Sequence, residues 1–137
     1  MVWERGHREI WRGALQRKCS VHPSAPPQGV VTSSQNCAAV LEAAKLEKFF
    51  EVRVDGNTIL DEGLRGKPAP DTFLRAARLL GVEPGRTVVL EDAISGVQAG
   101  SAGNFGLVIG IARKGNADEL THHGAHLAVH DLEELID

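Results

Sequence analysis

Much that would direct a reading is scarce in this chain. Of its 137 residues only 4% are aromatic, tyrosine is absent, and there is one methionine. A core must therefore come from Val, Leu, Ile and Ala, which the hydrophobic share of 42% can supply. The two cysteines, Cys19 and Cys37, are not in a Cys-x-x-Cys spacing; they read as ordinary thiols, and a structural disulfide has no other support. A net charge of -3 gives no basic surface for nucleic acid or an anionic membrane. No apolar run is long enough to span a bilayer, and the charged start MVWERGHREI has no signal-peptide core. The expectation is a soluble, cytoplasmic protein with neither nucleic-acid nor membrane partners. The fifteen glycines include no Gly-x-Gly, so the dinucleotide fingerprint is missing. Gly66-Lys67 precedes proline rather than Ser or Thr, which excludes a P-loop. No Asp-x-Asp occurs anywhere, and no aspartate precedes Asp55.

What is present has a clear order. Over residues 1–28, Trp3, His7, Ile10, Trp11, Ala14 and Leu15 recur at helical spacing, followed by a linker with Pro23, Pro26 and Pro27. From residue 29 to 137 apolar runs alternate with helical patterns. Strands are expected at 29–32, 50–54, 87–90, 106–111 and 127–129. Helices are expected to carry Cys37, Val40, Leu41 and Ala44 on one face, then Phe73, Ala76, Ala77 and Leu80 up to Gly81, then Ile94 and Val97. Asn116 with Glu119, and Asp131 with Glu134, read as capping boxes of two last helices. This alternation predicts an α/β, doubly wound parallel sheet, whose ligands bind at the carboxyl ends of its strands.

Three clusters fall on that edge. Thr32-Ser33-Ser34-Gln35-Asn36 joins a strand to a helix; its hydroxyls and free N–H groups suit either an anion or an ordinary helix cap. Lys67 sits in the proline-stiffened loop Gly66-Lys67-Pro68-Ala69-Pro70-Asp71, where a point charge can be held over a phosphate. Glu91 and Asp92 end an apolar strand and offer the hard oxygens that Mg²⁺ takes. Together they suggest a phosphate site beside a divalent metal. His122, His123, His126 and His130 resemble a metal cluster only superficially: Gly124-Ala125 interrupts the helix, which makes them surface and loop residues.

In this order the clusters resemble the carboxyl-terminal part of a haloacid dehalogenase-like hydrolase, in the β-phosphoglucomutase-like branch. The matching runs are Val30-Val31-Thr32-Ser33-Ser34, Arg53-Val54-Asp55-Gly56, Gly66 to Asp71, and Leu90-Glu91-Asp92-Ala93-Ile94-Ser95-Gly96-Val97. The resemblance implies Mg²⁺-dependent phosphoryl transfer on a small phosphorylated metabolite, a sugar phosphate. It implies that Thr32 binds the phosphoryl group, with the Ser33 N–H and Asn36 assisting, and that Lys67 neutralises charge. Asp92 would bind the metal, with Glu91 beside it. The family's nucleophile is the first aspartate of an Asp-x-Asp pair on an amino-terminal strand, and a helical cap follows it. Neither is present: Arg53-Val54-Asp55 puts arginine at the attacking position, and residues 1–28 are too few for the cap. A partial core is therefore expected, weakly active or inactive alone, with another chain as one source of the missing strand. The alternatives are a non-catalytic phosphate-binding remnant and a gene fragment with no role of its own. If the strands ending at Thr32 and Leu90 pair directly, they stand ~4.8 Å apart and crowd the site. If they do not, two bare edges face each other. Marginal stability is the expectation in either case.

Overall fold

A computed structural model describes residues 2–4 and 26–136. Six strands form one sheet: β1 (Val2–Glu4), β2 (Gln28–Val31), β3 (Val52–Val54), β4 (Thr87–Glu91), β5 (Leu107–Ile111) and β6 (Leu127–Val129), in the order β3-β2-β1-β4-β5-β6. Neighbours are parallel except around β1, which runs antiparallel to both β2 and β4. The helices are α1 (Cys37–Ala43), α2 (Gly56–Glu62), α3 (Asp71–Leu80), α4 (Ile94–Ala102) and α5 (Ala117–His122). None of the described helices is long and apolar enough to cross a membrane.

The sheet buries both faces. Val89 and Val108 face a cluster with Phe73, Ala76 and Ala77 of α3, Val97 and Ala99 of α4, and Leu120 of α5. Val88, Ile109, Ile111 and Val129 face the other way, under Leu132 and Leu135 of a carboxyl-terminal 3₁₀ turn. The period-2 alternation of β4 and β5 thus feeds two cores. Ala76 and Ala77 let α3 lie close to the sheet, and Phe73 meets Phe105 edge-on at 5.9 Å between ring centroids. Gly81, left-handed at φ 69°, ends α3 as its position predicts.

Four expectations change. The slot between β2 and β4 is neither closed nor open: β1 fills it, with Val2 in register with both Gly29 and Val89. Trp3 therefore lies on a strand and not on a helix; residues 5–25, which carry the rest of that helical pattern and most of the linker, lie outside the described residues. Two facing sheet edges with unpaired N–H and C=O groups outweigh a helical spacing, and Val and Trp are good strand formers. Second, Val40 does not join Cys37 and Leu41 in the core but is 61% exposed, because the seven-residue α1 packs through one i, i+4 pair. Third, Asn116 makes no side-chain cap: its backbone (φ -100°, ψ 34°) is not the extended form a capping residue needs. Asp131 and Glu134 do form their box, on a 3₁₀ turn. Fourth, the strand expected at 50–54 leads directly into a helix that the helical patterns did not include, α2, which Asp55 caps with Thr58 in a reciprocal box. The spacing Asp-x-x-Thr was the available signal.

Candidate active site

The carboxyl ends of β2 and β4 carry the two halves of the site. β1 between them holds their backbones about 9.6 Å apart, two strand spacings, so the crowding of a direct pairing is avoided.

At the end of β2 the chain turns through Thr32 to Asn36. The Thr32 N–H donates to the Val54 carbonyl at 3.0 Å, Gly56 N–H to the Ser34 carbonyl at 3.0 Å, and Asn57 Nδ2 to the Gln35 carbonyl at 3.1 Å. The turn's carbonyls are thus tied to the start of α2. Gly56 permits this approach: a Cβ there would lie 2.5 Å from the Ser33 carbonyl oxygen. Thr32 Oγ1 accepts the Ser34 N–H at 3.2 Å, which fixes the oxygen and leaves its proton to donate. Ser34 Oγ accepts the Asn36 N–H at 3.1 Å. Ser33 and Asn36 are exposed, and the Asn36 side chain makes no cap bond to α1.

At the end of β4, Lys67 Nζ is paired with Glu91 Oε1, and the two side chains are 12% and 9% exposed. Lys67 Nζ also stands 4.7 Å from the centroid of the Phe73 ring, whose face favours a cation. The lysine loop is closed from outside by Asp71, which accepts Arg65 Nε at 3.1 Å, Arg65 Nη2 at 2.9 Å and the Arg65 N–H at 3.1 Å. The Arg65 hydrogen bonds hold the Asp71 carboxyl below its ordinary range. Glu91 Oε2 accepts the N–H groups of Asp92 at 3.1 Å and Ala93 at 3.2 Å. Both Glu91 oxygens are therefore engaged. Asp92 is exposed, and its carboxylate has no partner among the described residues.

These donors bear on the metal. No group of three His, Cys, Asp or Glu residues that could hold an ion occurs among the described residues. A site would rest on Asp92 with water and phosphate oxygens, a donor set Mg²⁺ accepts. Glu91, placed beside it by the sequence, is occupied with Lys67. His122 ends α5, and His123, His126 and His130 lie outside the helices and strands; His126 Nδ1 accepts the Val108 N–H at 2.9 Å. Cys37 is buried and free.

No described acid replaces the nucleophile at this edge. Glu4, the acidic residue of β1, is in register with Thr87, at the opposite end of β4 from Glu91. Asp55 is buried, with Oδ1 accepting from Asn57 and Thr58 and Oδ2 at 2.9 Å from Arg53 Nε. The sequence reading missed the supports: Asn57 and Gly56 under the Thr32 turn, and Arg65 around the lysine loop. Only the Arg65/Asp71 charge pair had a sequence signal.

Residues 9–104 match the family described as haloacid dehalogenase-like hydrolase. The chain belongs to that family. It is 54% identical over 110 residues to the β-phosphoglucomutase of Mycobacterium tuberculosis (strain CDC 1551 / Oshkosh), covering 78% of this chain and 42% of that protein. The β-phosphoglucomutase of Bacillus subtilis is 37% identical over 83 residues, 60% of this chain and 35% of that one. Among solved structures, a putative β-phosphoglucomutase from Thermotoga maritima superposes with a TM-score of 0.70 at 30% identity, over 80% of this chain and 50% of that one. A haloacid dehalogenase family hydrolase from Deinococcus radiodurans, with bound phosphate and sodium, gives 0.74 at 28% identity over 93% and 56%. The chain thus spans about half the length, or less, of these relatives.

Proposed function

We propose that this chain carries the charge-neutralising half of a Mg²⁺-dependent phosphoryl-transfer site for a small sugar phosphate. Alone it turns over weakly or not at all, because the attacking aspartate must come from another strand. The observation that carries the reading is Lys67, oriented by Glu91 at the carboxyl edge of the sheet, with the exposed Asp92 next to Glu91 in the chain. Thr32 would donate its hydroxyl proton to a phosphoryl oxygen, and the Ser33 N–H would donate to a second, with Asn36 assisting. Lys67 would shift part of its charge from Glu91 toward the phosphoryl group. Asp92 would hold Mg²⁺, which when bound lowers the negative charge that the attacking group meets. The sugar-phosphate assignment draws on the relatives named β-phosphoglucomutase.

The test is Mg²⁺-dependent phosphate release from a panel of sugar phosphates and an aryl phosphate, alongside calorimetric titration with inorganic phosphate and Mg²⁺. Binding that is lost in Asp92→Asn and Lys67→Met, with little turnover, is expected. Turnover abolished by Asp92→Asn would show that an attacking group is already present. A folded chain that binds no phosphate would overturn the proposal. A second reading, a non-catalytic phosphate binder, is favoured by β1 itself: its residues are Val-Trp-Glu, and its acid lies at the far edge. Adding a peptide that contains Asp-x-Asp flanked by strand-forming residues separates the two, since turnover would rise only if the slot accepts a catalytic strand.

A further inference from the structure

Gly96 lies in the first turn of α4, five residues after Glu91. A Cβ at this position would collide with Glu91 Cδ and with both of its carboxylate oxygens. No rotation of a methyl group relieves that, because the whole carboxylate lies against the helix where a side chain would begin. Two neighbouring facts explain why it lies there. The residue capping α4, Ala93, has no polar side chain, and Glu91 Oε2 accepts the N–H groups of Asp92 and Ala93 just ahead of the helix. The positive end of α4 favours that negative charge. The other oxygen is turned to Lys67.

The geometry assigns Gly96 as a positioning residue for Lys67: its missing side chain is the seat of the Glu91 carboxylate, and the seated carboxylate fixes the ammonium. Glu91 is then a positioning residue as well, which leaves Asp92 as the carboxylate of the pair turned to the ligand side. The assignment of Lys67 to a phosphate rests on the function proposed above; the seat itself does not. An alanine at position 96 would push the carboxylate off the helix and release Lys67 from its anchor. Gly100, on the same helix, is the control. The three atoms nearest to a Cβ there are Val108 and Val89 methyls at 3.1 to 3.4 Å, so the added methyl presses first on the core and not on the carboxylate.

The experiment reads Lys67 directly, by the rate at which an amine-specific acylating reagent modifies it in the folded chain, mapped by mass spectrometry. Gly96→Ala is expected to raise that rate several-fold, to the level of Glu91→Ala, while Gly100→Ala leaves it near the parent's. In the Glu91→Ala background, where no carboxylate remains to be displaced, Gly96→Ala is expected to change neither the rate nor the folding. Should Gly96→Ala alone fail to fold, recovery of folding by Glu91→Ala supports the same seat. Unchanged labelling in Gly96→Ala, or equal damage from Gly96→Ala with and without Glu91, would overturn it. Titration with inorganic phosphate and Mg²⁺ on the same proteins keeps the two proposals apart. If labelling follows the expected pattern but no variant binds phosphate, the seat stands and the phosphoryl-transfer reading falls.

Discussion

The two strand ends that frame the site are built on opposite principles. After β2, the Thr32 turn is exposed, and it is shaped by backbone hydrogen bonds to the start of α2. After β4, Lys67 and Glu91 are largely buried and shaped by charge. A hydroxyl or N–H that faces water costs little to keep ready for a ligand. A buried ammonium must have a partner, because an unpaired charge there is costly. One end can thus lose its polar groups with little harm to the fold, while at the other end stability and binding are coupled.

The largest effect that separates the ends should come from breaking the buried pair. Lys67→Met strands the Glu91 carboxylate and is expected to cost about 3 kcal/mol, the lower part of the range for a broken buried pair. Adding Glu91→Gln removes the stranded charge and keeps an acceptor for the Asp92 and Ala93 N–H groups. The double variant should therefore recover at least half of the loss in urea denaturation. If the double variant is as unstable as Lys67→Met, the pair is not the source of the cost.

At the other end the sensitive point is a glycine under the turn. Gly56→Ala places a methyl 2.5 Å from a backbone carbonyl and 2.8 Å from Gln35 Cγ, so the turn must move. A cost of about 2 kcal/mol is expected, in the range of overpacking, with weaker phosphate binding. Gly66, in the lysine loop, has nothing within 4 Å of its would-be Cβ. Gly66→Ala should be neutral or stabilising by up to about 1 kcal/mol through the unfolded chain. Equal effects at the two glycines would show that the Thr32 turn is not braced by α2.

Asp55, which caps that same α2, makes a smaller, pH-dependent contribution. Burial alone would raise its carboxyl pKa, but the hydrogen bonds from Thr58 and Asn57 and the Arg53 charge outweigh burial and hold it below the ordinary value. A depressed folded-state pKa contributes stability that is fully present above the unfolded value, about 3.9, and is lost as the pH falls through the folded one. Asp55→Asn keeps a competent cap. It should cost about 1 kcal/mol or less at neutral pH and flatten the loss of stability below about pH 4. An unchanged acid limb in the variant would place that loss elsewhere.

Periodicity located the strands of the parallel sheet to within two residues, because each alternates or runs apolar and is bounded by turn residues. The Lys67 loop and the Glu91-Asp92 pair stood out in the sequence through their joint order on the ligand edge of an α/β sheet and the resemblance carried by that order, not through either one alone. Two things were not legible. β1 is only three residues long, and its antiparallel placement depends on two edges, near residues 29 and 89, that no local pattern around Val2 can reveal. The different surroundings of Glu91 and Asp92 were hidden for a similar reason: adjacent carboxylates look alike in a sequence. What distinguishes them is a tertiary space, the absent side chain of Gly96, together with the position of Lys67 two dozen residues earlier.

The smallest expected effect is also the sharpest test of the contrast between the ends. Thr32→Val removes the acceptor of the Ser34 N–H and the hydroxyl that would donate to phosphate. Both groups lie at an exposed turn, where water can replace the lost bond, so the stability change should stay within about 0.5 kcal/mol. Phosphate affinity should nonetheless fall about fivefold, the equivalent of one net hydrogen bond of roughly 1 kcal/mol. At the end of β4, by contrast, no substitution of Lys67 should lower affinity without also lowering stability. A Thr32→Val variant that loses stability but keeps its affinity for phosphate would reverse the assignment: the hydroxyl would serve the turn, and the ligand would be held by the lysine end alone.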